Sequence, residues 1–323
     1  MNVLITGGAG YIGSHTCKAI AQTGNTPVAF DDLSTGWKKL VQWGPLIEGR
    51  IQDTDRLRKT IRDHSIEAVI HFAANSNVGE SVRNPRHYFE NNVGGTLSLL
   101  SALLEEGVSD IIFSSTCAVY GVPEVVPIPE DHPHRPVNPY GITKAMIESI
   151  LDVYGKTHPL RWVALRYFNA AGADPESETG ECHEPELHLL PRIVDVALGN
   201  RPQVEVYGTD YPTPDGSAVR DYIHVSDLAQ AHVLALEYLR GGGSSTALNL
   251  GTGRGWSVLE VIRAVETVTQ SSLPVTLGPR REGDPPQLVA KGDRARSLLG
   301  WTPQYSDLEH IVETDWRWRQ KEH

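Results

Sequence analysis

The sequence predicts an α/β fold: a doubly wound parallel sheet with a smaller α/β lobe toward the C-terminus. Three observations predict it. Short β-branched runs alternate with helical stretches through the first half. The first of those runs leads straight into a glycine-rich turn that opens a helix. After Asn169 the texture shifts to turn-rich segments between shorter elements.

Taken in order, the predicted strands of the first half are Val3–Thr6, Pro27–Asp32, Leu46–Glu48, Ala68–Ala73, Ile111–Ser115 and Trp162–Tyr167. Each is a compact apolar run of the kind a strand buried on both faces requires. Between them the spacing predicts helices over Tyr11–Gln22, Thr54–His64, Arg86–Glu106 and Pro139–Thr157. Ala173–Pro185 and Gly208–Gly216 read as surface loops. The second half adds helices over Leu189–Leu198 and Ser226–Leu239, one from Val258, and a last one carrying Trp316 and Trp318, with strands at Val204–Tyr207, Ala247–Leu250 and Val275–Leu277. Gly241–Ser245 is a surface turn rather than an interdomain linker.

Bulk properties narrow the function. The chain has 323 residues and a formal charge of -11, which argues against a nucleic-acid or anionic-membrane surface. No window approaches a bilayer span, and the first residues read as a strand rather than a secretory signal. Cys17, Cys117 and Cys182 are too few and too dispersed for a disulfide framework, so a cytoplasmic location is expected. The 13 histidines are scattered without zinc-ligand spacing, and no metal is predicted.

Gly7, Gly10 and Gly13 sit where a strand–turn–helix needs a tight turn, close backbone approach to a pyrophosphate, and tight helix–strand packing. The second strand ends in Asp31 and Asp32, about 20 residues on, where an acid binds ribose hydroxyls and repels a 2′-phosphate. The sheet is therefore Rossmann-type, and its cofactor NAD. Farther on, Tyr140 and Lys144 lie one turn apart on a helix face, near the strand end Ser114-Ser115-Thr116. A neighbouring ammonium is expected to pull the phenol below its reference value of about 10. A phenol so tuned accepts a hydroxyl proton while hydride leaves the same carbon.

These residues, with VIHFAA, ENNVGGT, NPYGITK, GTDYPTPDG, VRDYIHVSDLA and PRREGD, make the sequence resemble the extended short-chain dehydrogenase/reductases that act on nucleotide sugars. The likeness runs over nearly the whole chain. It implies an NAD-binding domain over 1–168 plus about 217–250, and a UDP-sugar lobe over 169–216 plus about 251–323. Tyr140 would be the acid/base, Lys144 its electrostatic partner, and Thr116 a hydroxyl where the family usually has serine. Tyr11 and Ile12 would meet the pyrophosphate and Asp31 the adenosine ribose. Leu33, Ser34, Arg50, Ile51, Phe72, Ala73, Ala74, Asn91, Ser114 and Phe168 would complete the cofactor site. Asn169, His188, Leu189, Tyr207, Arg220, Tyr222, Val258, Arg281 and Asp284 match the substrate pocket. Arg220 and Arg281 suit the diphosphate, and Tyr207 would flank the uracil.

Four positions depart from the family pattern. Arg50 replaces an aspartate, Ser76 a lysine, and His188 an asparagine, while Leu288 holds a position that gates 2-N-acetyl sugars. Relatives that eliminate water or carbon dioxide carry an acid just after the serine or threonine; here Cys117, Ala118 and Val119 follow. The resemblance therefore implies 4-epimerisation of UDP-glucose and UDP-galactose through a 4-keto sugar. UDP-pentose or UDP-N-acetylhexosamine substrates are the alternative, and a non-catalytic NAD-binding protein a third reading. The runs Leu97–Leu104 and Met146–Val153 suit a homodimer contact or internal packing, and the family likeness favours the homodimer.

Overall fold

The computed structural model describes residues 1–281 and 283–322, which leaves Glu282 of the PRREGD motif outside the described residues. Its centre is a seven-stranded sheet: β1 (Asn2–Thr6), β2 (Thr26–Asp31), β3 (Leu46–Glu48), β4 (Ile66–His71), β5 (Asp110–Thr116), β6 (Arg161–Tyr167) and β7 (Thr246–Leu250). The strand order is β7-β6-β5-β4-β1-β2-β3, and every pairing is parallel.

Alternation along each strand sends side chains to opposite faces, and the two resulting cores are distinct. Val3 and Ile5 of β1 and Ile112 of β5 pack with Ile20, Leu228 and Leu236 of the helices Tyr11–Gln22 and Val225–Arg240. Leu4, Ile111 and Phe113 face the other way, against Leu57, Leu99, Leu103, Ile147 and Leu151. Each such side chain is almost fully buried, a gain of roughly 1.5–3 kcal/mol apiece. A third cluster joins Ile193, Val194, Val206, Val261, Val265, Ile311 and Val312 outside the sheet. A two-stranded sheet pairs Val275–Gly278 with Val204–Tyr207 there.

The chain leaves β1 toward β2 and β3 on one side and returns to β4 on the other. Such a reversal opens a crevice at the carboxyl ends of the two strands, the usual ligand position in open α/β sheets. No helix among the described residues is long and apolar enough to cross a membrane.

Three features depart from the sequence reading. The expected Arg86–Glu106 helix is Pro85–Tyr88 and Gly95–Glu105 joined by a wider π-helical turn, Phe89–Gly94. That turn presents Asn92, whose amide donates to the Asn75 carbonyl at 3.1 Å and to Thr143 Oγ1 at 3.0 Å. Short helices at Val78–Arg83 and Asp293–Leu299 had no clear periodic signal. A three-stranded sheet of Trp256–Ser257, Val219–Arg220 and Gln287–Leu288 was equally hidden, because its strands have only two residues each.

Candidate active site

Behind β1 the chain turns through Gly7 at φ +74°. A side chain at Gly13 would put its Cβ 2.1 Å from the Gly7 carbonyl oxygen, so only glycine lets helix and turn approach this closely. The helix begins at Gly10 without a side-chain cap and without an acid in its first turn, which leaves N–H groups for an anion. Asp31, at the end of β2, is buried; its carboxylate accepts from Ala9 N at 3.0 Å and Leu33 N at 2.9 Å, while burial raises its pKa.

Around this turn lies a cavity of about 310 Å3 lined by Gly7, Gly10, Tyr11, Ile12, Gly13, Asp31, Asp32 and Ser34 on the β1–β2 side. Ile51, Phe72, Ala73, Ala74, Asn91, Ser114, Tyr140, Lys144 and Phe168 close the remainder. Two expected cofactor residues do not line it. Arg50 is exposed, its guanidinium 3.8 Å from Asp32, because solvent screens a cation better than the cleft does. Leu33 adopts φ 58° and contributes its backbone to Asp31 instead. Ser76, singled out in the sequence, lines the cavity too, as do residues the sequence reading missed: Thr35, Gln52, Asn75, Tyr167, Glu181 and His183.

The helix Pro139–Thr157 starts sharply: Asn138 caps it by accepting from Gly141 N at 2.8 Å, and Pro139 occupies its first turn. That start aims Tyr140 and Lys144 at the ends of β5. Lys144 is 2% exposed and donates to the Ser114 carbonyl at 2.8 Å, its ammonium 5.9 Å from the centre of the Tyr140 ring. Thr116 Oγ1 accepts from Ala118 N at 3.1 Å and lines the same cavity as the phenol. The expected depression of the tyrosine is not what the protein alone shows. Burial dominates both groups, raising the Tyr140 pKa well above 10 and lowering Lys144 to about 7, with Glu148 opposing the latter. The physical reason is loss of water, which disfavours phenolate and ammonium alike.

A second cavity, of about 900 Å3, opens from the first and shares Thr116, Tyr140, Asn169, His183 and His188 with it. The expected substrate residues Leu189, Tyr207, Arg220, Tyr222, Val258, Arg281 and Asp284 line it, as does Leu288. Arg220 pairs with Asp284, and Arg281 covers the face of Tyr207 at 4.0 Å. That ring face is therefore already stacked by a guanidinium. Buried Asp221 clamps the wall, accepting from the backbone of Thr252, Gly253 and Ala290.

His188 sits in an anionic setting. Its Nδ1 lies 3.0 Å from Glu186 and 2.7 Å from Glu181, and these carboxylates outweigh burial to hold the imidazole well above its usual pKa. The fold thus gathers histidines that looked scattered in the sequence: Glu181, His183, Glu186 and His188 converge at one point.

A glycine turn at the reversal of a parallel sheet, with a buried tyrosine–lysine pair beside it, defines a nicotinamide-dinucleotide enzyme of the extended short-chain type. The chain belongs to the NAD dependent epimerase/dehydratase family, whose pattern matches residues 3–251. It is 52% identical over 320 residues to the UDP-glucose 4-epimerase of Rhizobium meliloti, spanning 99% of this chain and 97% of that protein. Among solved structures it resembles the UDP-glucose 4-epimerase of Brucella ovis in complex with NAD, with TM-score 0.96, 51% identity and 98% and 97% of the two chains covered. It likewise resembles the UDP-glucose-4-epimerase of Stenotrophomonas maltophila with bound NAD and formylated UDP-arabinopyranose, with TM-score 0.97, 41% identity and coverage of 100% and 98%.

Proposed function

We infer that this chain is a UDP-glucose 4-epimerase, interconverting UDP-glucose and UDP-galactose with NAD as cofactor. The observation that carries the reading is the shared wall: Tyr140 and Thr116 line both cavities, between the cleft around the glycine turn and a larger cavity whose lining includes Arg220 and Arg281.

The residues present fit NAD. The uncapped helix start at Gly10 suits the pyrophosphate, and the buried Asn75 amide nitrogen, without a partner among the described residues, lines the same cleft. When bound, NAD supplies a ring that accepts hydride from the sugar carbon and returns it, and that carries a positive charge. We assign the turn Gly7–Gly13 and Asp31 to its binding. Tyr140 takes the C4 hydroxyl proton and later gives it back; Lys144 stabilises the phenolate; Thr116 orders the substrate oxygen. Arg220 and Arg281 anchor the diphosphate, leaving the hexose loosely held and free to turn its other face.

Purified enzyme given UDP-galactose will form UDP-glucose without added NAD, and Tyr140→Phe will lower the rate by about a thousandfold or more while retaining bound dinucleotide. NADH accumulating in proportion to substrate would overturn the epimerase reading, and full activity in the variant would overturn the role of Tyr140.

We also propose a homodimer, supported by exposed Leu97, Met146 and Val153 on neighbouring helices, and a cytoplasmic location, supported by three free thiols. The two-lobe division given above is a further proposal, supported by the separate cluster around Ile193 and Val265.

A further inference from the structure

The loop carrying Glu181 to His188 crosses the junction of the two cavities, and His183 and His188 line both. At its base the two carboxylates are hidden, with the side chain of Glu181 2% exposed and that of Glu186 6%. At its mouth the imidazoles are accessible, 31% for His183 and 53% for His188. Glu181 Oε1 lies 2.7 Å from Nδ1 of each imidazole, and all four candidate donor atoms fall within 4.8 Å of one another.

We propose that Glu181, His183 and His188 form a binding site for one divalent transition-metal ion, with its remaining coordination position open to the cavities. Once the ion displaces the proton held on His188, two neutral imidazoles and a carboxylate are a borderline N/O donor set, suited to zinc, cobalt, nickel or copper rather than to magnesium or calcium. Zinc takes such ligands at about 2.0–2.2 Å, which separates tetrahedral donors by roughly 3.3 Å. That separation falls between the 2.7 Å contacts and the 4.8 Å bound seen here, so a small outward movement of the accessible imidazoles admits the ion.

Glu186 acts behind the ligands. Its Oε1 already accepts from the backbone of Leu187 at 2.7 Å and His188 at 2.8 Å, and Arg319 holds Oε2 at 3.0 Å. It fixes the loop and adds the second negative charge that neutralises a dication. Trp318 Nε1 donates to the Glu181 carbonyl at 3.1 Å, so the last helix pins the site from below. Outer supports of this kind orient metal ligands. The other acidic cluster, Asp174, Glu176 and Glu178, offers no such opening. Lys18 Nζ fills it at 2.6–2.8 Å from all three.

The test uses the purified holoprotein, treated with a chelator, exchanged into chelator-free buffer and titrated with cobalt(II) chloride alone. One equivalent will bind with a visible ligand-field band of low-coordinate intensity, and stoichiometric zinc will abolish the band. His183→Gln, at a partly exposed position, will lose the band at equimolar metal. In a Cys182→Ser background, His183→Cys will gain a near-ultraviolet thiolate-to-cobalt band, which only a direct ligand can produce. The geometry has a simpler occupant, a proton shared between His188 and the two carboxylates. A silent titration of the wild type, an unchanged band in His183→Gln, or no thiolate band in His183→Cys would leave that proton as the occupant and overturn the metal site. Dinucleotide content of each variant verifies the fold.

Discussion

Replacing Lys144 by methionine should destroy catalysis and yet stabilise the cofactor-free protein. The ammonium is 2% exposed and has one hydrogen bond, to the Ser114 carbonyl; among the described residues no carboxylate lies within ion-pair distance of it. Burial lowers its pKa from 10.5 to about 7. At 1.36 kcal/mol per unit, that depression corresponds to about 5 kcal/mol of unfavourable burial at neutral pH. The lost hydrogen bond and packing return part of it, so the variant should gain about 2 kcal/mol at pH 7. The sign follows from linkage. A lysine whose folded pKa is depressed carries no penalty above its unfolded value of 10.5, a growing one as pH falls, and the full one below about 7. The advantage of Lys144→Met should therefore shrink as pH rises from 7 toward 10. Urea unfolding of both cofactor-free proteins, followed by tryptophan fluorescence across that range, measures the difference. A variant less stable than wild type at pH 7, or a gap that does not move with pH, would refute the reasoning.

Further outcomes follow from the same structure. Glu148 and Arg166 are a buried pair, 5% and 6% exposed and 2.5 Å apart, so Glu148→Gln should cost about 3–5 kcal/mol by stranding the guanidinium. Addition of Arg166→Met should recover part of that loss in the urea midpoint. Gly13→Ala puts a Cβ 2.1 Å from the Gly7 carbonyl oxygen, and an overpacking cost of about 1–3 kcal/mol should weaken NAD binding about ten- to a hundredfold. Dinucleotide released on denaturation reports it. Arg220→Ala should raise KM for the UDP-sugar about tenfold or more with a smaller change in kcat, since the guanidinium binds ground state and transition state alike; initial rates separate the two.

How much of this was legible in the sequence depended on whether the signal was local. The helices Tyr11–Gln22 and Pro139–Thr157 start and stop where read, because a glycine turn opens one and an asparagine cap with proline opens the other. The tyrosine–lysine spacing survives folding for the same reason. The pKa of that pair was not legible, since it depends on burial by neighbours distant in sequence. Arg50 and Leu33 were placed at the cofactor by position alone; Leu33, just after β2, gives only its backbone to Asp31, and Arg50, just after β3, points to solvent. The convergence of Glu181, His183, Glu186 and His188 depends on loop shape and on Arg319 from the last helix, and has no periodic signature. The wide turn at Phe89–Gly94 is a change of hydrogen-bond register inside an otherwise continuous helical segment, which composition does not encode.

The position of β7 bears on how the protein is made. β6 ends at Tyr167, but the strand that covers its outer edge is not synthesised until Thr246–Leu250. At roughly 5–20 residues per second, a ribosome needs on the order of ten seconds to deliver it. For that interval the nascent sheet carries an open row of backbone donors and acceptors beside apolar Val163 and Leu165. A chaperone has that interval in which to bind, and a chain released before residue 250 would carry the same exposed edge into aggregation.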